Sequence, residues 1–178
     1  MLRWLKARSL LRAKAGEIYG VIVTQARLPD FYAGLGIPDT PVGRYETVVV
    51  HLFLVLERLR AAPPEALELS LAVIEAFVAD MDDYVRQYGS SDVGTAKKVR
   101  RAAAGFYERA AEYRAGLEEP RRLEQTLGEH LIGDAADSQR SVALARYMER
   151  AAALLAKQDN AALLQGQIEF PRPRAGEL

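Results

Sequence analysis

Few side chains in this sequence are of the kinds that do chemistry, and their spacing restricts what they can do. There are two histidines and no cysteine in 178 residues. Lack of cysteine removes disulfides, thiolate metal sites and thiol nucleophiles, and is compatible with a reducing compartment. His51 is the one polar side chain inside the apolar run from Val48 to Leu56. His130 sits in Gly128-Glu129-His130, without the Glu-x-x-His companion of a helical metal site. The densest acidic cluster is Asp80-Met81-Asp82-Asp83. Of its three acids only Asp80 and Asp83 share a helix face, which is too few converging ligands for a catalytic metal. It reads either as a solvated acidic face or as an acidic surface for a partner. The basic counterpart is Lys97, Lys98, Arg100 and Arg101, with Lys97 and Arg101 on one face and Lys98 beside them. It reads either as a solvated face or as a contact for RNA, acidic protein or phospholipid. Without interleaved aromatics or a nucleic-acid motif, base-specific recognition is not indicated, and no DNA partner is expected. No P-loop, dinucleotide fingerprint or nucleophile elbow occurs. An enzyme is therefore the disfavoured reading, with no catalytic, cofactor or metal residues expected.

The elements that position these residues are helical throughout. The length suits one domain, and 49% hydrophobic content is enough to build its core. With 24 basic and 24 acidic residues the net charge is zero, so any affinity for a polyanion must come from a local patch. A first helix is expected from about Leu10 to Arg27, with Ala15, Tyr19, Ile22, Val23 and Ala26 at helical spacing. The Gly- and Pro-rich stretch from Phe31 to Gly43 cannot continue it. That stretch carries Phe31, Tyr32, Leu35 and Ile37, so it is expected to pack as an ordered connector.

The next helix, about Arg44 to Arg60, is apolar on every side and must be buried all round. It is too short to span a bilayer, which takes about 20 apolar residues. Pro63-Pro64 ends it and starts a helix to Tyr88, which makes an αα-hairpin. In that helix Leu67, Leu71, Ile74, Val78, Met81, Val85 and Tyr88 are expected inside, and Glu68, Glu75 and Asp82 outside. Counting back from the turn sets His51 level with about Ala76, so Glu75 and Asp80 are its candidate acidic partners. A helix from about Val93 to Leu117 carries Ala96, Val99, Ala103, Phe106, Ala110, Tyr113 and Leu117 in strict alternation of three and four. A shorter helix runs from Pro120 to about Ile132 and stops at Gly133. A last long helix spans roughly Asp137 to Lys157, with Ser141, Leu144, Met148, Ala152 and Leu155 inward. Asp159 caps a short helix to Gln165, and an extended tail follows. The fold expected is all-α: a single globular bundle of about six helices, with a central buried helix and an ordered connector. Its divisions are a basic segment 1–17, a helical domain 18–166 and a tail 167–178.

At the N-terminus Arg3, Lys6, Arg8, Arg12 and Lys14 precede the first acid, Glu17, and alternate with Leu2, Trp4, Leu5, Leu10 and Leu11. No apolar h-region or cleavage site follows, so no secretory signal is expected. The pattern partly fits a mitochondrial presequence, and it equally fits a basic helix start or a segment resting on an anionic membrane surface.

Several motifs in order carry a family resemblance. They are Ile18-Tyr19-Gly20, Gln25-Ala26-Arg27, Pro29, Phe31-Tyr32, Leu35 to Thr40, Gly43-Arg44-Tyr45-Glu46 and Val50 to Leu56. Phe77 to Asp83, Tyr88 to Gly94, Lys97-Lys98-Val99 and Phe106-Tyr107 continue the series. Together they resemble the ubiquinol–cytochrome c chaperone family, well from about Tyr19 to Tyr113 and weakly over the last third. The chain looks like a short bacterial member without the long presequence of mitochondrial forms. The resemblance implies a non-catalytic assembly factor for the cytochrome bc1 complex (complex III) that binds newly made cytochrome b near the ribosome and inner membrane. It implies a cytoplasmic or peripheral inner-face location, mitochondrial in a eukaryote. The partners it brings into view are cytochrome b or another membrane-protein client, the ribosome, an anionic membrane surface and a small partner protein. On that reading Phe31, Tyr32, Leu35 and Ile37 form a groove wall for an apolar client helix. Asp80, Asp82 and Asp83 meet a basic client loop, and Lys97, Lys98 and Arg101 meet RNA or headgroups. His51 is structural. The alternative is a helical lipid- or quinone-binding peripheral membrane protein, which needs a closed apolar pocket instead of an open groove.

Overall fold

The computed structural model describes the backbone of residues 2–88, 92–133 and 138–174, and within these the side chains of 6–81, 104–133 and 139–174. Seven α-helices and two π-helical turns occur among the described residues, with no strand. They are α1 (Leu2–Ala26), a π turn (Asp30–Gly34), α2 (Pro41–Arg60), α3 (Ala66–Tyr88), α4 (Asp92–Glu118), α5 (Pro120–Leu127), a second π turn (Gly128–Ile132), α6 (Ser138–Lys157) and α7 (Asn160–Leu164). The all-α bundle expected from the sequence is what forms. The first helix starts earlier than its apolar spacing suggests, because the basic segment is itself helical.

The central helix α2 is enclosed by α1, α3, α4 and α6. Its residues from Val48 to Val55 are all buried, as are Glu46 and Thr47 ahead of them. Thr40 caps its start by accepting from the Gly43 N–H at 3.1 Å, and Pro41 fills the first turn where no donor is needed. A Cβ at Gly43 would lie 2.1 Å from the Pro38 carbonyl oxygen, so only glycine lets the connector fold back this closely. The connector is ordered and packed: Phe31, Leu35 and Ile37 lie in the core.

Helix ends are tied to neighbouring helices. Arg58 of α2 donates to the carbonyls of Leu155 (2.8 Å) and Gln158 (2.7 Å) and to Asn160 Oδ1 (2.7 Å), so a cation satisfies the C-terminal acceptors of α6. Lys14 of α1 does the same for α7, donating to the Leu164 carbonyl at 3.1 Å. Asp159 caps α7 through the N–H groups of Ala161 and Ala162. Gly133, left-handed at φ 76°, terminates the second π turn where the sequence places the stop.

The α3 register differs from expectation. Its inner residues are Ala66, Leu69, Ala72, Val73 and Phe77, whereas Leu67 and Leu71 of the predicted inner stripe are 65% and 54% exposed. Ile74, Val78 and Met81 of that stripe are only half-buried. The helix is apolar on two sides, and periodicity alone does not say which side packs. The face with Ala66 and Ala72 wins here because small residues let α1 approach closely.

The extended residues after α7 form a strap. Ile168 is buried, and Glu169 and Gln158 exchange two hydrogen bonds, at 2.7 and 3.1 Å. Phe170 sets its ring edge-on to His51 with centroids 5.1 Å apart.

Candidate functional site

His51 lies wholly inside the bundle, and its hydrogen bonds are complete. Nδ1 is 2.7 Å from the Thr47 carbonyl, which can only accept, so Nδ1 carries the proton. Nε2, 2.7 Å from Tyr147 Oη, then accepts from the tyrosine. Gln25 Nε2 donates to the same Oη at 3.1 Å and to the Pro171 carbonyl at 2.8 Å. One chain of bonds thus joins α2, α6, α1 and the strap. Phe31 and Tyr147 meet edge to face at 4.9 Å, and Phe31 meets His51 at 5.2 Å. Burial pushes the imidazole pKa down to about 4, against a smaller upward pull from the Thr47 carbonyl. The ring is therefore neutral at physiological pH. The void beside it is about 10 Å³, space for about one water.

This corrects the expected acidic partner. Asp80 accepts instead from Tyr19 Oη at 2.8 Å, and Glu75 is exposed on the other side of α3. Hairpin counting sets the level of a partner but not its direction around the helix. A helix buried on all sides has several neighbours, and His51 points to α6. The sequence analysis sets Leu144 and Met148 of α6 inward and does not include Tyr147. Its place among Leu144, Met148 and Ala151 on the apolar face was the available signal.

The expectation that the connector walls an open groove is also corrected. Phe31, Leu35 and Ile37 are buried core residues, and half-buried Tyr32 donates its hydroxyl to the Ala26 carbonyl at 2.7 Å. Their bulk went to filling the space between α1, α2 and α6, because an aromatic connector beside an apolar helix buries more area by packing than by facing water.

Of the acidic cluster, Asp80 is exposed and bonded to Tyr19, while the side chains of Asp82 and Asp83 lie outside the described residues. Those of Lys97, Lys98 and Arg101 lie outside them too. Three ion pairs around two glutamates are not among the sequence expectations. Buried Glu46 receives a two-pronged contact from Arg109 of α4, at 2.5 and 2.6 Å, and Glu57 is held by Arg60 and Arg114. On the surface, His130 Nε2 meets Glu112 at 2.5 Å. Among the described residues no three metal-ligating side chains converge.

An open groove does exist, between α1 and α3. Its volume is about 630 Å³. Leu10, Leu11, Leu69, Leu71, Ala72 and Leu164 supply its apolar lining. Arg8, Arg12 and Lys14 stand on the α1 wall, and Glu65, Glu68 and Glu75 stand on or just before the α3 wall. Leu10 is 59% exposed at its edge. No described helix is long and apolar enough to cross a membrane.

A family profile described as ubiquinol-cytochrome C chaperone matches residues 33–170. The crystal structure of the Cbp3 homolog from Brucella abortus superposes with a TM-score of 0.84 at 30% sequence identity, covering 96% of each chain. No curated protein sequence matches significantly.

Proposed function

Because this chain belongs to the ubiquinol–cytochrome c chaperone family, we propose that it is a non-catalytic assembly chaperone for the cytochrome bc1 complex and that its client is newly made cytochrome b. The observation that carries this reading is the family match over residues 33–170, together with likeness to the Brucella homolog across 96% of both chains. It acts from the cytoplasmic face, resting at the inner membrane close to the translating ribosome. The exposed carboxylate of Asp80, with Asp82 and Asp83 following in sequence, meets a basic client loop. Lys97, Lys98 and Arg101 meet ribosomal RNA or lipid phosphates. A small partner protein shares the work.

Deleting the gene tests the role. Cytochrome b and assembled complex III should both fall, and normal levels of both sink the proposal. Reversing charge at Lys97, Lys98 and Arg101 should lower complex III while the melting temperature stays unchanged. Lipid or quinone binding is the weaker reading, since it needs a closed apolar pocket of several hundred Å³, whereas the 630 Å³ groove is open and flanked by charges and the void beside His51 is about 10 Å³.

A further inference from the structure

The groove between α1 and α3 is left open by the packing of the domain. Three large apolar side chains at or beside it, Leu10, Leu67 and Leu71, are each more than half exposed. Single exposed leucines are ordinary, but a contiguous row is a docking feature. On α3 the row Leu67, Leu71, Ile74 and Val78 steps by four, three and four, the spacing of a coiled-coil seam. Glu68 and Glu75 each follow a seam residue, a heptad apart, on the groove side. Opposite them stand Arg12 and Lys14 of α1. The walls therefore differ in sign.

We propose that this groove docks an amphipathic helix of another protein, seated by an apolar stripe over Leu10, Leu67 and Leu71, with a basic flank against α3 and an acidic flank against α1. A heptad seam matches the ridge of a second helix, and flanking charges set which helix is accepted. An anionic bilayer fits less well, because the α3 carboxylates repel its headgroups. Arg8, Arg12 and Lys14 share the α1 wall, but Glu65, Glu68 and Glu75 face them across the groove, so no face of one sign is offered to a bilayer. A second copy of this chain fits less well too. Antiparallel α3 seams would set the Glu68 and Glu75 rows of both copies side by side, where like charges repel. The inference stands on the groove alone and does not depend on the assembly role.

The test uses the full chain and three labelled synthetic helices with the same leucine heptads. One carries lysine on one flank and glutamate on the other, one carries lysine on both, and one carries glutamate on both. Fluorescence anisotropy should show the two-sign helix binding at least about tenfold tighter than either other, with the preference shrinking as salt rises. The double variant Leu10→Ser, Leu71→Ser should weaken that binding by about tenfold or more, with its circular dichroism and melting temperature unchanged because both side chains are exposed. Absent binding, equal binding of a single-sign helix, or undiminished binding by the double variant overturns the proposal. So does sedimentation that shows a dimer abolished by the same variant, or anionic vesicles captured in place of the peptides. None of these results bears on the complex III measurement, so the two proposals fail separately.

Discussion

His51 is neutral because the bundle gives it a carbonyl at one nitrogen, a hydroxyl at the other and no charge nearby to hold a proton. This sets a pH dependence. The ring titrates near 4 in the fold and near 6.5 when unfolded, so between those values the unfolded chain binds more protons. Stability should be full above about pH 6.5, fall as pH drops towards 4 and level off below, a loss of roughly 3 kcal/mol from this group. Urea unfolding across that range measures it. His51→Leu should cost about 2 kcal/mol at neutral pH, since the Thr47 carbonyl and Tyr147 hydroxyl each lose a partner, and should flatten the profile. A variant as stable as the parent, with the same pH slope, would show that the buried network is immaterial.

At the scale of elements, the fold is held by pairs that join helices distant in sequence. Arg109 of α4 grips Glu46 at the start of α2 with both prongs, and Glu46 is 2% exposed. Removing the cation leaves a carboxylate without compensation inside the protein. Arg109→Ala should therefore destabilise by about 3 kcal/mol in thermal or urea unfolding. Arg109→Lys should recover only part of this, because an ammonium cannot span both oxygens. If Arg109→Ala costs nothing, the pair does not hold α4 to α2. Helix positions were readable from apolar spacing and from Gly and Pro stops, and so was the cap at Asp159; the cap at Thr40 came only with the structure. Which face of α3 turns inward was not readable. Both sides carry leucine or valine at helical intervals, and the choice rests on how closely α1 can approach Ala66 and Ala72.

For the whole molecule, the strap closes the bundle over its most polar interior point. Phe170 covers His51, and the Pro171 carbonyl receives Gln25, whose amide also reaches Tyr147. Phe170→Ala should cost about 2 kcal/mol, less than a fully buried phenylalanine because it is only partly buried. Amide exchange at Glu169, bonded to Gln158 Oε1, should quicken with it. Unchanged exchange would show that the strap is held by Ile168 and the Gln158 pairing alone. The sequence read this segment as an extended tail. Its contacts span more than a hundred residues, which no local pattern records.

By itself the sequence determined the helical class, the burial of α2, the order of helices and the family, because each is written in local spacing or in motifs kept in order. Only the tertiary structure decided which acid, hydroxyl or carbonyl meets which partner. It gave His51 to Tyr147, Asp80 to Tyr19, Phe31 to the core and Leu67 and Leu71 to the surface. The reason is directional: periodicity states that a helix has an apolar side, whereas the neighbour on that side depends on how all the helices pack at once.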